Sequence, residues 1–161
     1  MRKYLLALPL AAAFALTATG PALAVDEVNV SKGATIPGPG VAVHGHDVVA
    51  YFTDGAPALG SAEFAHVHDG ATYRFASQAN LDAFKADPAK YAPAYGGFCA
   101  YGVAVGKKFD GDPRFWKMVD GRLYLNLNGD VQAKWLEDIP GNIAAAEANW
   151  AEIRSVAVDD L

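Results

Sequence analysis

Four histidines and a single cysteine are the residues of this 161-residue chain with the clearest capacity for metal or redox chemistry. The histidines form two pairs, His44-Gly45-His46 and His66-Val67-His68. On an extended chain residues i and i+2 project from the same face, so each pair can direct two imidazoles at one point. Neutral imidazole binds copper, zinc and nickel, and a thiolate adds a preference for soft ions such as Cu(I). Asp47 and Asp69 each adjoin a pair and could orient a ring, although neighbours on a strand point to opposite faces. Cys99 lies in Tyr95-Gly96-Gly97-Phe98-Cys99-Ala100-Tyr101-Gly102, where glycines permit sharp turns and close backbone approach. If Cys99 opens a helix, the helix dipole would favour its thiolate and make it a better ligand or nucleophile. As a small buried hydrophobe it would be inert. Both readings are open, as is the reading of the histidines as solvated or hydrogen-bonded surface groups. As metal ligands the candidates are Cys99 and His66 first, then His44, His68 and His46.

Other chemistry lacks its signature. The chain has no Gly-x-Ser-x-Gly elbow, no Walker loop, no His-Glu-x-x-His and no Cys-x-x-Cys. Carboxylates are plentiful, but none is singled out as an acid/base couple, and the expectation is a protein that is not an enzyme. The formal charge of -5 argues against nucleic acid, which asks for a clustered basic face, and against anionic membrane surfaces. With one cysteine no internal disulfide can form.

The first residues read as an export signal. Arg2 and Lys3 precede an apolar run from Tyr4 to Leu16, and Ala22-Leu23-Ala24 supplies the small residues before a cut. The apolar run falls short of the ~20 residues a spanning helix needs. There is no Arg-Arg pair for the twin-arginine route and no cysteine after the cut to carry a lipid. The expectation is a signal peptide at 1–24 and a periplasmic, soluble product with no membrane attachment after cleavage. Losing Arg2 and Lys3 without any acid makes that product more acidic still.

The elements that must position these residues follow from local pattern. Residues 25–40, with Pro37, Pro39 and several glycines, read as an extended lead-in to a domain over 41–153, and residues 154–161 as a frayed tail. The β-branched and aromatic run from Asp47 to Phe52 predicts a strand. Phe64 to His68 and Thr72 to Phe75 predict a hairpin around Asp69-Gly70. Ser77 fits the N-cap of a helix that uses Leu81 and Phe84, and Pro88 stops that helix or restarts it as a short turn ending at Tyr91. A second hairpin, 115–127, turns at Asp120-Gly121, with Leu123, Leu125 and Leu127 toward the core and Tyr124 and Asn126 away from it. Two helices follow, Gly129 to Glu137 and one opened by Pro140. Trp116, Trp135 and Trp150 read as core. The pattern predicts an α+β domain with a small antiparallel sheet and several short helices.

Thr72-Tyr73-Arg74-Phe75-Ala76-Ser77, followed by Asn80, Phe84, Asp87-Pro88 and Tyr91, resembles a YHS domain. The resemblance extends through His44-Gly45-His46-Asp47-Val48-Val49-Ala50-Tyr51-Phe52 and Gly96-Gly97-Phe98-Cys99-Ala100-Tyr101-Gly102 to Asp120-Gly121-Arg122-Leu123-Tyr124-Leu125-Asn126. It points to the exported single-domain branch of that family. It implies a small treble-clef-like metal module, whose cysteine-rich members bind heavy or transition metals. Here Ala76 stands where those members carry cysteine after the Tyr-x-Phe element, and His44 and His46 replace a cysteine-bearing motif, which excludes a cysteine-rich zinc site. The ligands that remain are Cys99 and histidines, a set for copper first and zinc second. The expected function is thus a non-enzymatic periplasmic metal-binding domain, with a periplasmic protein as a further possible partner. Its rivals are a metal-free module that holds a small ligand or a partner chain, and a thiol redox protein acting through Cys99.

Overall fold

A computed structural model describes residues 27–31 and 40–161. The expected signal peptide at 1–24 and most of the lead-in lie outside the described residues. The fold is α+β, with the strands in two small sheets. The first has the order β1-β2-β4-β3, from β1 (Val30–Ser31), β2 (Val41–Ala42), β3 (Ser61–His68) and β4 (Ala71–Phe75). Only the β2–β4 pair is parallel; β1–β2 and β3–β4 are antiparallel. The second is the hairpin of β5 (Asp112–Val119) and β6 (Arg122–Asn126).

Both hairpins turn where an Asp-Gly dipeptide predicts it. Asp69 and Gly70 have φ of 47° and 74°, and Asp120 and Gly121 have 49° and 75°. Two successive positive φ values make the primed turn whose twist matches that of paired strands. A Cβ on Gly121 would meet nothing, so this position needs glycine for its backbone angle alone.

The predicted strand over Asp47 to Phe52 is a helix instead, α1 (Ala50–Thr53). The Asp47 carboxylate explains the difference. Its Oδ1 accepts from the amides of Val49 and Ala50 at 2.8 and 3.4 Å and so turns the chain at the start of a helix. Asp47 Oδ2 takes the Ala76 amide at 2.8 Å and Asn80 Nδ2 at 2.6 Å, which ties this turn to the end of β4 and the first turn of α2 (Gln78–Ala86). Ser77 caps α2 by accepting from the Asn80 amide, as predicted, and Leu81 and Phe84 are buried. Pro88 restarts the chain as α3 (Pro88–Tyr91).

The hairpin β5–β6 divides two hydrophobic cores. Leu123 and Leu125 face the first, with Val43, Val48, Phe75 and Phe84. Tyr124, expected on an open face, is buried in the second with Trp135, Val103 and Ala146. That face is covered because α4 (Ala100–Ala104) and α5 (Gly129–Glu137) pack on it, with α6 (Ile139–Ile153) laid against α4. Burying a large apolar side chain on each face contributes roughly 1.5–3 kcal/mol apiece. Of the three tryptophans Trp135 is fully buried, whereas Trp116 and Trp150 lie partly buried at the margins of the two cores. The tail after Ile153, read as frayed, is held. Lys108 is buried, and its ammonium donates to the carbonyls of Arg154 and Val156 at 2.7 and 2.6 Å. A cation suits this helix end, where unpaired carbonyls concentrate negative charge.

Candidate functional site

Cys99 opens α4, as the sequence allowed, but without activation. It is 0% exposed; its sulfur accepts from the Gly102 amide at 3.3 Å and its S–H donates to Asn126 Oδ1 at 3.8 Å. Burial pushes the thiol pKa up and outweighs the amides of Gly102, Leu127 and Tyr101, which pull it down; the charge of Asp110 adds to the rise. The expectation that a helix terminus would favour the thiolate fails because α4 is a five-residue helix in a dry setting. Asn126 is itself fully buried, fixed by the Tyr101 amide at 3.3 Å, with its Nδ2 unpartnered among the described residues.

The first histidine pair divides. Val43, His44 and Gly45 form a left-handed turn with φ of 49°, 49° and 79°. A second such turn, Tyr95, Gly96 and Gly97, has φ of 55°, 62° and 84°. The side chain of Asn29 reaches to the second turn at Gly97 O, 3.3 Å, and to Asp110 Oδ1, 2.7 Å. His44 Nε2 lies 2.9 Å from the same Asp110 oxygen, so in the neutral ring Nε2 donates and Nδ1 keeps the lone pair. His46 instead uses its backbone, in a bridge to Leu59, and its Nδ1 is buried without a partner among the described residues.

The second pair holds the predicted geometry. His66 and His68 are half-buried on one face of β3, and both rings stand edge-on to Phe84, at centroid distances of 6.4 and 5.6 Å. Asp69 Oδ2 lies 3.3 Å from His68 Nε2, the orienting contact suggested by its place in the sequence. Asp47, suggested for the same role at the other pair, is committed to backbone amides and Asn80.

The five predicted ligands are not gathered at one point. Among the described residues no three of His, Cys, Asp or Glu stand together so as to hold a metal ion. Sequence reasoning missed Asp110, Asn29 and Asn126. Their neighbours are 66, 81 and 27 positions distant, and no local pattern announces such contacts. It also missed a cleft of about 230 Å³ beside Gly96, walled by Tyr73 and Trp150.

No helix among the described residues is long and apolar enough to cross a membrane. No curated protein and no solved structure matches the chain. Residues 49–95 match the family model of the YHS domain, a span that holds His66 and His68 and leaves His44, His46 and Cys99 outside. With the Tyr-x-Phe element on β4 and the Ser77-capped helix inside that span, the chain carries a YHS domain.

Proposed function

We propose that the protein is exported to the periplasm and serves there as a non-enzymatic transition-metal-binding domain, with copper as its ion and His66 and His68 as its imidazole ligands. One observation carries the reading: two half-buried imidazoles two residues apart on β3, against one phenyl ring, the second with a carboxylate at its Nε2. YHS domains are associated with metal binding, and both histidines fall within the matched span. Imidazoles without a thiolate favour Cu(II), since divalent affinity for nitrogen ligands peaks at copper in the first transition row, while Cu(I) asks for sulfur. Zinc is the competitor with the same ligands. The remaining coordination positions fall to water or to groups from a partner. A thiol exchange role would need an accessible thiolate, and Cys99 is 0% exposed.

The test is a Cu(II) competition titration against a chelator of known affinity, on untagged protein. Replacing both His66 and His68 by alanine should weaken binding by about a hundredfold, at the upper end of what loss of even an orienting partner costs. His44→Ala should leave it within about twofold, within the scatter of surface substitutions, and Cys99→Ser should leave it equally unchanged because the buried sulfur is not in this ligand set. Unchanged affinity in the double variant would end this reading. Export is checked separately by sequencing the N-terminus of periplasmic material, which should begin at Val25.

A further inference from the structure

The cleft beside Gly96 draws on distant parts of the chain. Its walls include Glu27, Asp69, Tyr73, Pro93, Trp150 and Arg154, and its volume is about 230 Å³. That is liquid room for about eight waters, which suits a ligand of one aromatic ring and a short chain rather than a drug-sized one. Glu27 and Arg154 close on each other, with Nε 2.8 Å from Oε1, so the single guanidinium of the cleft is engaged. Asp69 carries the charge that is left. His68 Nε2 lies 3.3 Å from its Oδ2, and the carboxylate is otherwise exposed. Beside it Trp150, half-buried, supplies the aromatic surface, and Tyr73, 2% exposed, only closes the floor. The second cation nearby, Lys108, sits 5.5 Å from the Trp150 ring centroid and is tied to the carbonyls of Arg154 and Val156.

We infer that this cleft binds a small organic cation, an amine on an apolar or aromatic body, with its ammonium at Asp69 and its body against Trp150, over the floor of Tyr73 and Pro93. The ammonium gains from the carboxylate, and the apolar body from burial against the indole. An anion would have to compete with Glu27 for Arg154. The net charge of -5 works in the same direction by concentrating cations near the surface. The site shares Asp69 with the metal reading through His68, so the experiment is run with a chelator present and the two stand or fall apart.

Phenethylamine and phenylacetate, alike in shape and opposite in charge, are titrated into the protein and followed by the backbone amide of Gly96 and the indole N–H of Trp150 in NMR spectra. Phenethylamine should give saturable shifts at both, and phenylacetate should bind at least about fivefold more weakly, the reach of one partly exposed ion pair. Asp69→Asn should weaken phenethylamine by about the same factor. Asparagine suits the positive φ of that turn residue, so the hairpin survives the change. Asp82→Asn, on α2 and bonded to Gln78, should leave it unaltered. Absence of saturable shifts, equal or tighter binding of phenylacetate, or an indifferent Asp69→Asn would each overturn the proposal.

Discussion

Asp47 shows how much one buried carboxylate can organise. It is 0% exposed and accepts from three backbone amides and one side-chain amide contributed by α1, β4 and α2. Hydrogen bonds to a charged acceptor are worth about 1.5–3 kcal/mol each, and a buried donor left unpaired costs about 1–3 kcal/mol. Asp47→Ala should therefore destabilise the domain by about 3 kcal/mol or more, read from the midpoint and slope of urea unfolding. A loss below about 1 kcal/mol would show that water replaces the carboxylate. Cys99 yields a prediction of opposite electrostatic sense. Its folded thiol pKa is raised by burial, so its contribution to stability is complete below the unfolded value of about 8.5 and is lost as pH rises toward the folded value. Stability should decline above about pH 8.5 with a slope of up to about 1.4 kcal/mol per pH unit, and Cys99→Ala should flatten that segment. Burial likewise raises the phenols of Tyr51 and Tyr73, which extends the decline beyond about pH 10 in either protein.

At the scale of elements, two glycines separate angle from space. Gly121 has φ of 75° and open surroundings, so alanine there should cost only about 1 kcal/mol of backbone strain. At Gly111 a Cβ would collide with the Gly97 carbonyl, on the backbone of the second left-handed turn. Gly111→Ala should cost several times more than Gly121→Ala, and thermal unfolding of the two variants side by side checks the order. The contrast also explains what the sequence could convey. Both Asp-Gly hairpins, the Ser77 cap and the Pro88 restart are decided within four residues of chain, and all were legible. The helix α1 was not, because Val48 to Phe52 has the composition of a strand and the deciding carboxylate is held in place by Ala76 and Asn80. Alternation along β6 correctly gave the side that Leu123 and Leu125 face, but it could not reveal that helices cover Tyr124 on the other. The spacing of His66 and His68 translated directly into geometry because they lie on a strand. The same spacing at His44 and His46 did not, since a left-handed turn separates those two rings.

At the scale of the whole molecule, two cores share one hairpin, and the segment 27–31 packs on the first through Val28 and Val30 while Glu27 holds the end of α6. Asn29 joins the 95–97 turn to Asp110, and Glu27 reaches Arg154 across 127 positions. Asn29→Ala should loosen this segment and leave the cores intact. In amide hydrogen exchange, protection should fall at the backbone amide of position 29, which bonds Gly96 O at 2.9 Å in the unaltered chain, and persist at Leu123 and Leu125. Loss of protection throughout would show that the segment and the cores fold as one unit. The segment has a temporal consequence as well. In a chain made from its N-terminal side Glu27 precedes Arg154 by 127 positions, so it waits long for its partner. Closing loops of this length is slow compared with forming either Asp-Gly hairpin. While synthesis is under way, both hairpins and the contacts of Asn29 with the 95–97 turn and Asp110 can form, but the Glu27–Arg154 pair closes only after α6 has followed.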